Sequence, residues 1–122
     1  MDYDALVAEL RQLRENVAGV TDTVIAASDG IPIISDVAKS VDPAHISALA
    51  AADLGIARQA AEVMGLGTLS QTVVFGSKGY MAVYAIGRLS LMVALGDKGL
   101  NLGRLLHESR PAIERIGSIL AP

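Results

Sequence analysis

The run from Gln71 to Gly96, QTVVFGSKGYMAVYAIGRLSLMVALG, constrains this chain more than any other stretch. It divides at Gly76-Ser77-Lys78-Gly79 and at Gly87-Arg88 into segments rich in β-branched and aromatic residues, which reads as three consecutive strands joined by tight turns. In the middle segment Tyr80, Ala82, Tyr84 and Ile86 alternate with Met81, Val83 and Ala85. In the last, Leu89, Leu91, Val93 and Leu95 alternate with Met92 and Ala94. Both faces are apolar in each case. A strand with one wet face alternates apolar with polar residues, so these two are expected in the middle of a sheet covered on both sides. The first segment, from Gln71 to Phe75, bears neither charge nor Pro and is expected at an open edge.

The rest of the chain supplies the covers. Leu6, Leu10, Leu13 and Val17 recur at helical spacing, with Glu9, Arg11, Gln12, Arg14 and Glu15 off the stripe, which predicts an amphipathic helix from Tyr3 to about Gly19. A strand from Thr23 to Ala27 follows, then Asp29-Gly30, a pair that suits a type I′ hairpin turn with positive φ at both central positions. The returning strand, Ile31 to Val37, contains Pro32 and Asp36 and is expected at the other edge of the sheet. Asp42-Pro43 opens a second helix, as N-cap and first helical residue, running to about Met64. Gly99 and Asn101 lead into a third, with Leu102, Leu105, Leu106, Ile113, Ile116 and Leu120 along one side and Pro111 predicting a kink or a break. The order is α-β-β-α-β-β-β-α, an α+β chain whose five-stranded antiparallel sheet lies between helices, in one domain spanning residues 1–122.

This order, the Asp29-Gly30 hairpin, the Ala-rich second helix, the three-strand meander and the Leu102-Gly103-Arg104-Leu105-Leu106 opening of the last helix together resemble the Roadblock/LC7 family. The resemblance covers nearly the whole chain, although each motif alone is common. It implies a profilin-like fold, a homodimer with joined sheets, and a scaffold or regulator without catalytic chemistry. In bacteria such proteins are partners of Ras-like small GTPases, and the Ala- and Gly-rich character here is similar to an actinobacterial branch grouped with a small GTPase and a sensor-kinase-like protein.

Composition narrows the function classes. There is no Cys, which removes thiol nucleophiles, thiolate metal sites and disulfides. Formal net charge is −3 with the cations scattered among acids, so neither nucleic acid nor anionic lipid is an expected partner. No run approaches the ~20 apolar residues of a membrane span, and a soluble, cytoplasmic protein is expected. Yet the chain is 52% hydrophobic and only 19% charged, where a soluble surface takes roughly 25–35% charged residues. Some apolar surface is therefore expected between chains.

Chemistry-bearing constellations are sparse. Gly65-Leu66-Gly67-Thr68-Leu69-Ser70 half-matches a dinucleotide fingerprint but follows a helix and lacks the third Gly, so a helix cap and loop is the better reading. There is no P-loop signature, and any GTP would belong to a partner. His45 and His107 fall on different helices and read as surface residues; Ser77 reads as turn chemistry. No catalytic, cofactor or metal site is expected.

The second helix is too apolar for one contact. Val63, Ile56, Leu49 and Ala60 form one sector, and Ile46, Met64, Ala57, Ala50, Ala61 and Leu54 another, together roughly 200° of arc where one packed face needs ~100°. Asp53 lies between them, and a carboxylate there must be hydrogen-bonded or close to a subunit boundary. A two-fold dimer is expected to use Ile46, Leu49, Asp53, Ile56 and Ala60 together with the edge residues Thr72, Val73, Val74 and Phe75. Ala48, Ala51 and Gly55, beside Arg58, Gln59 and Glu62, are expected to form the outward docking face for a GTPase, the small residues permitting close approach and the polar ones setting orientation. The alternative is a small-ligand sensor of PAS-like architecture. The low aromatic content, 3%, and the small aliphatic sheet faces speak against a large internal cavity.

Overall fold

A computed structural model describes residues 1–121. Helix α1 (Tyr3–Asn16) is capped by Asp2, whose Oδ1 accepts from the Ala5 N–H at 3.0 Å, and it buries Leu6, Leu10 and Leu13. It stops short of Gly19. Val17 is already extended at φ −121°, while Gly19, at φ 95°, turns the chain into β1 (Val20–Ala27). A Cβ at Gly19 would come 2.7 Å from Leu100 Cα, so close approach as well as handedness demands glycine. The strand begins earlier than Thr23 because Asp22, only 5% exposed, is satisfied by the Ala38 N–H at 2.8 Å.

The hairpin from β1 to β2 (Pro32–Asp36) is not the two-residue type I′ turn. Its loop holds Ser28, Asp29 and Gly30, and of the three only Gly30 takes a positive φ, 92°. Gly30 N–H donates to Ala27 O and Ala27 N–H to Ile31 O, both at 2.9 Å, the arrangement of a type I turn closed by a left-handed glycine. The register shifts between Ile25 and Ala26, opposite Pro32. Pro32 cannot donate to a ladder, and β2 lies at an edge as its sequence requires.

Strands β3 (Gln71–Gly76), β4 (Gly79–Ile86) and β5 (Ser90–Asp97) complete an antiparallel sheet of order β2-β1-β5-β4-β3. One face packs Ile25, Ala82, Tyr84 and Met92 against α1 and the helix α3 (Leu102–Leu120); the other packs Val24, Val83, Leu91 and Val93 against α2 (Pro43–Val63). The alternation read in the meander is thus the alternation between two cores. Leu89 departs from it: the strand resumes only at Ser90, and Leu89 lies in the turn, 81% exposed.

Helix α2 is capped by Asp42 with Pro43 in its first turn, and ends with Leu66 N–H on Ala61 O and Gly65 N–H on Glu62 O around a left-handed Gly65. Of the kink or break expected at Pro111, the break does not occur, and α3 is one helix of 19 residues. Pro111 and His107 both face solvent, so water can satisfy the carbonyl whose helical donor Pro111 lacks. Two ion pairs tie the outer layer together: Arg14–Asp36 at 2.7 Å, from α1 to β2, and Arg115–Glu9 at 2.6 Å, from α3 to α1.

Candidate interaction surface on α2 and β3

The inner sector of α2 is accounted for by its own sheet. Ala50, Leu54 and Ala61 are buried, and Ile46 and Ala51 pack against the same core. Ile46, expected across the dimer seam, is therefore on the core side of the helix, and Ala51, expected to face a partner, already has a neighbour within the chain. Met64 leaves the inner sector altogether, because the helix ends at Val63 and Met64 is 70% exposed.

The other sector is bare. Leu49, Ile56 and Val63, recurring every seven residues, are 54%, 69% and 78% exposed, and Ala60 is exposed beside them. An exposed aliphatic stripe at that spacing on one helix has the geometry suited to packing against a second helix. Its place is fixed by Asp53, which lies on α2 between the stripe and the core and whose Oδ2 accepts from Thr72 Oγ1 at 2.6 Å. Asp53 is thus satisfied within the chain. Because Thr72 belongs to β3, the bare stripe lies on the flank of α2 that faces the β3 edge.

Among the described residues that edge is free along its outer side, since β3 pairs there only with β4. Thr72 and Val74 stand opposite Val83 and Met81 on the α2 face, while Val73 and Phe75 stand opposite Ala82 and Tyr80 on the α1/α3 face. Val74 is 45% exposed; Phe75, 69% exposed, meets Tyr80 edge to face with centroids 5.5 Å apart. Of the strand residues expected at the interface, Val74 and Phe75 are exposed, while Thr72 and Val73 are half-buried within their own chain. The stripe on α2, Val74 and the unpaired strand form one surface with an apolar part and a hydrogen-bonding part.

The expected docking residues divide. Ala48, Gly55, Gln59 and Glu62 are exposed, and a Cβ at Gly55 would meet nothing within 4 Å. Arg58 is not a free outward charge: its guanidinium donates to Gly87 O in the β4–β5 turn at 2.8 Å. Ala48 does permit a close approach, but by this chain's own hairpin, since a Cβ at Gly30 would come 3.2 Å from Ala48 Cα. Spacing along one helix could not reveal these partners, because each depends on which turn of the sheet lies under it. His45 and His107 are both exposed, and no group of metal-ligating side chains occurs among the described residues. No helix among them is long and apolar enough to cross a membrane.

Comparison with known proteins agrees with this architecture. Two uncharacterized proteins of Methanocaldococcus jannaschii, MJ1340 and MJ0310, are 33% and 32% identical over 98 residues, 80% of this chain and 85% of each relative. Among solved structures, MglB of Myxococcus xanthus superposes with a TM-score of 0.88 at 17% identity, covering 98% of this chain and 97% of that one. A Roadblock/LC7 domain from Streptomyces avermitilis gives 0.86 at 20% identity, covering 93% and 95%. The family model described as the Roadblock/LC7 domain matches residues 6–95, which take in α2 and all but the last two residues of the sheet, and the chain belongs to that family.

Proposed function

We propose that this chain is a non-enzymatic, cytoplasmic, homodimeric regulator or scaffold that binds a small Ras-like GTPase, with a sensor-kinase-like protein as a further partner. The observation that carries the reading is the bare Leu49–Ile56–Val63 stripe beside the unpaired β3 edge. An aliphatic helix flank next to an open strand is self-complementary under a two-fold axis: two β3 edges can pair antiparallel while two α2 helices pack across them. In that arrangement the sheet is continuous through both chains. The arc of α2 bearing Gly55, Gln59 and Glu62 remains outward, available to a partner that reads the paired helices.

Family membership supports the class of partner, and the sparse chemistry of the surface supports binding over catalysis. Gly55→Leu is the cleanest probe, because added bulk there meets nothing in the chain itself and Leu favours the helix. Titration of a small Ras-like GTPase from the same organism, in its GDP and GTP-analogue states, is expected to show binding to the wild-type dimer. Gly55→Leu and Glu62→Arg should each weaken it by tenfold or more, about 1.4 kcal/mol, without changing the dimer. Equal affinity for all three proteins would remove α2 as the docking face.

A further inference from the structure

The β4–β5 turn is held more firmly than a surface turn requires. Three successive carbonyls each accept a hydrogen bond from elsewhere in the chain: Gly87 O from Arg58 at 2.8 Å, Arg88 O from Ser28 Oγ at 2.7 Å, and Leu89 O from Ser28 N–H at 2.9 Å. Two separate elements, α2 and the β1–β2 hairpin, therefore fix where Arg88 leaves the backbone. Arg58 is fixed by the same contact. Both arginines line an open cavity of about 270 Å³, together with Glu62, Thr68 and Leu69. No ion pair joins Glu62 to either arginine among the described residues. Two guanidinium groups and one carboxylate give the cavity a formal surplus of one positive charge, in a chain whose net charge is −3.

We infer that this cavity is a binding site for a small monocarboxylate, a ligand that the regulator reading does not require. Guanidinium forks match a carboxylate geometrically, and Arg58 keeps N–H groups beyond the one given to Gly87. One surplus positive charge matches one negative charge. A phosphate dianion would face the Glu62 carboxylate with a second, unmatched charge. The volume falls below the ~300 Å³ at which drug-sized sites begin, so the ligand is small. Leu69, half-buried at the wall, offers an apolar surface to a short carbon stem, and the Thr68 hydroxyl a further donor.

The test is a titration of the full chain with sodium propionate, followed by amide and arginine side-chain N–H resonances, against sodium chloride and inorganic phosphate at equal ionic strength. Saturable shifts are expected at Gly67, Thr68, Gly87 and Arg88 with propionate and none with chloride. Arg88→Gln, an exposed change that leaves the turn's carbonyl contacts in place, should weaken propionate binding about tenfold or more while leaving resonances elsewhere unmoved. Arg58→Lys keeps the charge but not the fork and should weaken it as well. Unchanged propionate affinity in Arg88→Gln, equal shifts with chloride, or tighter binding of phosphate than of propionate at pH 7 would each overturn the assignment.

Discussion

Tyr84 is 3% exposed in the core beneath α3, and its hydroxyl is shut off from solvent without a hydrogen bond of good geometry. Ser109 stands nearby but donates its own hydroxyl to Leu105 O at 2.6 Å, so its polar influence on the phenol only partly offsets the effect of burial. Burial dominates and raises the Tyr84 pKa above its ordinary 10.0. A raised value in the folded state means that the neutral phenol is favoured there. The resulting stability is intact below pH 10 and is lost as pH rises through the folded value. Thermal unfolding of wild type against Tyr84→Phe should therefore diverge above about pH 10, with wild type losing stability faster. Near neutrality the variant is expected within about 1 kcal/mol of wild type, because the hydroxyl it removes has no full partner. Parallel profiles through pH 11 would contradict this. At this scale the sequence reveals residue type and leaves partners hidden. Arg58 reads as an outward charge until the Gly87 carbonyl is seen beside it, and Leu89 reads as a strand residue until the turn proves to include it.

Elements were far more legible, because each carries its own periodicity and its own stops. The alternation of Tyr80 to Ile86, the Asp42-Pro43 cap and the 3.6-residue stripe of α1 are local statements, and local physics decides them. What could not be read were the joints. The β1–β2 loop takes one more residue than Asp-Gly alone suggests, because the strand pairing closes at Ala27 and Ile31. Pro111 leaves α3 intact because it faces solvent. The joint that matters for the surface is Asp53–Thr72, which sets α2 against the edge strand. A charge-assisted bond between half-buried groups contributes about 1–2 kcal/mol, less than a fully buried one. A double-mutant cycle of Asp53→Ala and Thr72→Val, measured by denaturant unfolding, should show a coupling of that size, with Asp53→Ala also weakening self-association. Additivity within about 0.3 kcal/mol would mean that the contact does not position the helix.

For the molecule as a whole, Ile31 and Leu89 are exposed singly in turns, while the largest group of exposed aliphatic and aromatic side chains gathers around α2 and β3. Both sheet faces are covered, yet Leu49, Ile56, Val63, Val74 and Phe75 remain outside, around the one strand edge that neither Pro nor charge protects. That concentration was foreseeable from the two sectors of α2. Their orientation was not, since it depends on which edge of the sheet the second sector overhangs. Pairing through this surface is expected to bury an area at or above the standard ~1,600 Å². Each two-fold dimer counts a substitution twice, so Ile56→Asp, exposed in the single chain, should cost several kcal/mol of association and almost nothing in folding. Sedimentation velocity at micromolar concentration tests this most directly. Wild type is predicted to sediment at twice the 12.6 kDa chain mass, and Ile56→Asp as a folded monomer with unchanged circular dichroism. A wild-type monomer under those conditions, or an Ile56→Asp dimer as tight as wild type, would contradict the account.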